Sequence, residues 1–264
     1  VDADGQGPVR TADGEAVAGP LATNAQSAAA DREWGVLALN PGSTLLRVIG
    51  PDGKHRLTLP VKDSVGSASW ISAEVIALSS DSSGARAELW SLTRAARIAT
   101  RGTERAIDKT TPGAQHLRRV WLRSTAGLLH TLEAYSGTLT SYDEAGNEVR
   151  SAAIEHPLFA EIESRMGARN EDAVKNHFIE RPVSLLWNGF GVDAEQTIWA
   201  VEKASAKERT MRFRRVDRAG RSSTETITGL SCATYTFAIW GDWLITYSDP
   251  ADPAGACIGE RRMP

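Results

Sequence analysis

A polar turn followed by a short apolar run returns five times along this chain, with apolar anchors at Leu37, Ile76, Leu129, Trp199 and Leu244. The runs read DREWGVLALN (31–40), ISAEVIALSS (71–80), STAGLLHTLE (124–133), DAEQTIWAVE (193–202) and IWGDWLITYS (239–248), and their anchors stand 39, 53, 70 and 45 residues apart. Strand-sized repeats of that period cannot bury their apolar faces alone and stack around a shared core, so they predict an all-β fold of the propeller type.

A second element follows four of the runs in phase: LLRVIGPDGKHRLTL, ELWSLTRAARIAT, LTSYDEAGNEVRSAAI and FRRVDRAGRSSTETI. Gly53, Gly146 and Gly220 occupy one place in three of them, where a tight hairpin needs a residue at positive φ. Ala95-Ala96 stands there in the second, so that repeat has either degenerated or adopted another turn. Five blade repeats are detectable, and the ring is expected to hold five or six blades.

The phrases D-x-x-x-x-I-W-x-V at Asp193 to Val201 and V-D-x-x-G at Val216 to Gly220 resemble those of NHL-type and related six-bladed β-propellers of bacteria. The resemblance spans roughly residues 31 to 264. It implies a propeller that acts as a binding platform, a scaffold or, less often, an enzyme. The stretch Asn188 to Trp199 is also similar to a strand of the gluconolactonase family, in which a leading Asp is metal ligand and general base. Asn188 stands at that position here; its amide oxygen can ligate a hard cation but cannot take a proton at neutral pH. Glu33 is the nearest match to that family's metal-binding glutamate. The likeness therefore supports the fold and argues against lactonase chemistry.

A 264-residue chain is compatible with one all-β domain, and a net charge of −3 argues against a nucleic-acid partner. No apolar stretch is long enough to cross a bilayer as a helix. Residues 1–30 are rich in Gly, Ala and Asp and read as an arm or linker ahead of a propeller at 31–264. That arm, with no initiator Met, suggests a processed, exported chain in the periplasm or outside the cell, against the alternative of an arbitrary boundary. Cys232 and Cys257 point the same way if they form a disulfide, which would close a loop of about 25 residues; two buried thiols are the alternative. His156 to Glu180 breaks the β pattern with helical spacing at Leu158, Ile162 and Met166, then Val174 and Phe178, and predicts a short helical insertion at about 156–180.

Nucleophile elbows, zinc-protease motifs and phosphate loops are missing from the sequence. The five histidines are scattered, so no catalytic residue, metal site or cofactor is expected from them. Trp90, Trp121 and Trp199 lie in predicted strands and read as core. Trp34, Trp187, Trp240 and Trp243 lie beside turns and, with Asn188, are candidates for a binding surface. Arg212 and Arg214 alternate about Phe213 and so share one face of a strand. They would offer a positive stripe to a partner or simply guard a solvated edge. The function expected is a non-catalytic platform with a protein partner, as an accessory subunit of a larger complex; the alternative is a metal-dependent lactonase-like hydrolase with a degenerate central site.

Overall fold

The computed structural model describes residues 8–10, 16–20, 27–31, 33–39, 44–61, 65–80, 86–102, 120–125, 127–134, 136–156, 189–205, 208–231, 236–248 and 257–264. Its strands form a five-bladed propeller arrangement, every blade an antiparallel meander. Blade 1 comprises β3 (Ser27–Asp31), β4 (Gly35–Leu39), β5 (Leu45–Ile49) and β6 (His55–Pro60). Blade 2 comprises β7 (Val65–Ser72), β8 (Val75–Ser80), β9 (Ala87–Ser91) and β10 (Ala96–Arg101). In blade 3 the order is β11 (Val120–Thr125), β12 (Leu128–Glu133), β13 (Thr138–Tyr142) and β14 (Glu148–Ala153). Blade 4 runs β15 (Phe190–Val192), β16 (Ile198–Ser205), β17 (Thr210–Val216) and β18 (Ser222–Ile227). In blade 5 the described residues form three strands, β19 (Thr236–Trp240), β20 (Trp243–Ser248) and β21 (Cys257–Arg262). Ahead of them β1 (Pro8–Arg10) and β2 (Ala16–Pro20) pair as a separate hairpin.

All five anchors fall on the second strand of a blade, and all five are buried. The first strands β3, β7, β11, β15 and β19 are the inner ones, each in contact with the next. Four apolar clusters fill the seams between successive blades. Leu37, Leu46, Trp70 and Ile76 belong to the first, and Leu89, Leu122 and Leu129 to the second. Leu132, Phe190 and Ile198 belong to the third, and Trp199, Phe213 and Leu244 to the fourth.

The in-phase second element is the hairpin of the third and fourth strands in blades 1 to 4. Gly53, Gly146 and Gly220 sit at φ +75, +86 and +83, as expected. Ala95 takes φ +48 at the same place and closes the same type of turn, donating its N–H to Leu92 O at 3.3 Å. The second blade therefore keeps the turn and bears the strain of a side chain in it. The aspartates of the repeated phrases fasten the turns. Asp193 Oδ1 accepts from the N–H groups of Glu195 and Thr197, and its Oδ2 accepts from the Trp199 indole at 2.8 Å.

A meander places its first and third turns at one end of the ring. Those turns span two to five residues, whereas the connections at the opposite end include residues 102–119 and 154–189. The predicted helical pair lies in the second of these, outside the described residues, and among the described residues there is no helix. Cys257 opens β21 opposite Ser248. Its side chain and Cys232 are outside the described residues, and with them the expected disulfide.

Candidate functional site

Residues 154–189 connect blade 3 to blade 4, and the seam between these two blades carries buried charged and polar groups. Across blade 3 the register pairs Trp121 with Leu132 and Leu132 with Leu139; one step along, it pairs Arg123 with His130, His130 with Ser141 and Ser141 with Arg150. Paired residues share a face. One half of this face is thus apolar and packs on Phe190, Val192, Ile198 and Val216 of blade 4, while the other half, nearer the short turns, is polar.

In that polar half His130 is 1% exposed. Its Nδ1 lies 2.8 Å from Ser141 Oγ and its Nε2 2.8 Å from Thr125 Oγ1. Thr125 Oγ1 in turn donates to Gln196 Oε1 of blade 4 at 3.0 Å. Burial, reinforced by the Arg150 charge, pushes the imidazole down to about 4, so the ring is neutral at pH 7. Arg150 crosses the seam and donates to the carbonyls of Gln196 at 3.2 Å, Val216 at 3.0 Å and Asp217. Gln196 holds φ +65 in the blade 4 turn, in the left-handed region that ordinary side chains avoid.

At the other end of the same seam a carboxylate is buried among arginines. The pairing of β16 with β17 skips from Val201–Phe213 to Lys203–Arg212, which leaves Glu202 as the extra residue of a β-bulge. Its side chain is 1% exposed and takes Arg214 Nη2 at 2.9 Å on Oε1, with Arg212 Nε against Oε2. Although that second contact is within ion-pair distance, Arg212 Nε and Glu202 Oε2 do not form an aligned hydrogen bond. We therefore regard Arg214 as the stronger clamp. Buried His156, where the long connection begins, lies with Nε2 3.3 Å from the Glu202 carbonyl, and burial lowers the affinity of its ring for a proton. Chemically the cluster is a positively balanced ion triad, suited to holding a backbone or an anion more than to proton transfer.

Of the residues singled out from sequence, Arg212 and Arg214 are brought together, as ligands of Glu202. Trp34 is half-buried against Trp70, ring centroids 6.3 Å apart, in the seam between blades 1 and 2. Trp243 is 47% exposed at the β19–β20 turn, opposite Trp240 in register; the Trp240 side chain is outside the described residues. Trp187 and Asn188 also lie outside them. Glu33 is exposed in the β3–β4 turn. Among the described residues no three His, Cys, Asp or Glu side chains gather as a metal site would require. A cavity of about 230 Å³ beside Leu230, Thr246 and Gly259 lies between blades 4 and 5, away from this seam. Glu202, His130 and Gln196 were not foreseen. The available signal was a charge at Glu202 in phase with the buried Ile198 and Ala200.

No family model and no curated protein matches the sequence. Among solved structures the chain is similar to Hydrazine Synthase of Kuenenia stuttgartiensis, with a TM-score of 0.50 and 9% sequence identity. The match covers 94% of this chain and 57% of that one, so the chain spans little more than half of its neighbour's length. At this identity the likeness is one of fold.

Proposed function

We propose that this chain is a non-catalytic protein-binding or assembly platform, exported from the cytoplasm, and that it serves as an accessory subunit of a larger complex. The observation that carries the reading is Trp243. A two-residue turn with Gly241 at φ +54 joins β19 to β20 and holds Trp243 nearly half exposed on a hairpin of the ring. Large aromatics fixed on rigid backbone lose little entropy on docking and are enriched among the residues that dominate protein interfaces. Exposed Ile98 and Val149 on the outer strands of blades 2 and 3 add apolar surface. The NHL-like phrases fit a platform too, because Asp193 and Trp199 hold a turn and a seam.

The test is native purification with cross-linking, followed by mapping of the linked peptides and metal analysis. A stoichiometric partner linked beside the 240–243 turn, with retention reduced at least tenfold by Trp243→Ala, is the expected result. A lone chain that hydrolyses lactones with a divalent cation, and loses this activity in Asn188→Ala, would overturn it in favour of the lactonase-like alternative.

A further inference from the structure

Several arginines of this ring have carboxylate partners. Arg56, Arg97, Arg212, Arg214, Arg221 and Arg262 each stand within ion-pair distance of a carboxylate. Arg150 has no such contact but spends its guanidinium on three carbonyls of blade 4. Arg123 has neither. Its Nη1 donates to the carbonyl of Leu122, its own neighbour, at 2.8 Å, and no other hydrogen bond or ion pair engages the side chain among the described residues.

Among the described residues nothing neutralises it. Arg123 lies on the inner strand β11, at the axial end of the row that continues through His130, Ser141 and Arg150. That row holds two guanidiniums and no carboxylate. His130 is no substitute, since both ring nitrogens are engaged by Thr125 and Ser141. Burial pushes the Arg123 guanidinium down from its ordinary value, and no acidic group among the described residues opposes the shift. Arginine stays charged even so. A desolvated cation without a counter-charge is an unfavourable arrangement that an anion relieves. By surface exposure Arg123 is half-buried rather than enclosed.

We infer that Arg123, at the axial edge of the seam between blades 3 and 4, is the binding site for one small oxyanion, a carboxylate or a tetrahedral sulfate or phosphate group. Planar guanidinium presents paired N–H donors that fit two oxygens of such a group at once. The side chain is only partly open, which excludes a macromolecular acidic surface and selects a free small anion. The site is independent of the Trp243 surface.

The experiment is calorimetric titration of the full chain with sulfate, phosphate and acetate, each against chloride at matched ionic strength, with thermal unfolding in parallel. Saturable binding near one equivalent is expected for at least one probe, with unfolding temperature rising as RT ln(1 + [L]/Kd) requires. The probe that binds distinguishes the tetrahedral from the carboxylate class. Arg123→Gln should lose affinity at least tenfold, whereas Arg94→Gln, in an exposed turn of blade 2, and Trp243→Ala should keep it. Should Arg123→Gln not fold, Arg123→Lys keeps the charge without the fork and should bind more weakly. Absence of saturable binding in the unaltered chain overturns the inference, as does unaltered affinity in whichever Arg123 variant folds.

Discussion

The seam between blades 4 and 5 and the seam between blades 3 and 4 share β15 to β18, but only the second flanks its apolar cluster with buried charged and polar groups. Towards blade 5, blade 4 presents Trp199, Val201, Met211 and Phe213, all buried. Phe213 meets the Trp199 ring at 6.0 Å and the Phe237 ring at 5.8 Å, both edge to face. Gly191 lets the inner strands close up, since a Cβ there would come within 2.5 Å of Ile239. Towards blade 3, the alternate residues Ile198 and Ala200 give way to the bulged Glu202 with Arg212 and Arg214. One strand pair thus packs apolar side chains on one side and carries charge on the other. Apolar burial contains no titrating group, whereas the charged seam depends on every partner being present and correctly protonated.

Substitutions can break this contrast on either side. The largest loss is expected for Phe213→Ala, on the order of 4 kcal/mol in urea unfolding, because the cavity opens between two rings. That loss should not change between pH 7 and pH 5. Glu202→Ala follows at about 3 kcal/mol, since it strands two partly buried guanidiniums, and Glu202→Gln should recover only part of the loss. Recovery of wild-type stability by the alanine variant would show that the triad is dispensable.

Acid should act on the polar seam. His130 titrates at about 4 in the fold and near its ordinary 6.5 when unfolded, so as pH falls below 6.5 the unfolded chain binds the proton first. Its contribution is intact above 6.5 and is lost progressively down to about 4, roughly 3 kcal/mol in all at 1.36 kcal/mol per pH unit. His156, shifted in the same direction, adds to the loss. His130→Gln should flatten the pH dependence of unfolding over this window; an unchanged slope would remove His130 from the account. The smallest effect concerns Ala95, at φ +48 in its turn. Ala95→Gly should stabilise by about 0.5–1 kcal/mol, as measured by thermal unfolding, because glycine takes that conformation without a Cβ clash.

What was legible in the sequence follows the same physics. The second strands could be found because an apolar run after a polar turn is a local signal, and the hairpin glycines because positive φ restricts residue choice. The inner strands left little trace. β15 is three residues long and buried throughout, and an enclosed strand has no polar alternation to read. Ser27–Asp31, which reads as the end of a linker, is held by pairing with β4 despite its alanines. Alternation placed Arg212 and Arg214 on one face, but their partner was hidden. Glu202 is in phase with Ile198 and Ala200, but the bulge there shifts register by one residue, so the phase alone could not assign it to Arg212 and Arg214. The His130 network joins residues from three strands of blade 3 and a turn of blade 4, so it has no local sequence signature.

The division of labour between the two seams can be measured directly by native-state hydrogen exchange at pH 7.5 and pH 5, corrected for intrinsic rates. Protection should fall in acid across β12 to β14 and at the 193–197 turn, while Phe213, Met211 and the β19–β20 hairpin keep theirs. A uniform loss across the ring, or a loss that begins between blades 4 and 5, would contradict a polar seam as the part of this propeller that responds to its surroundings.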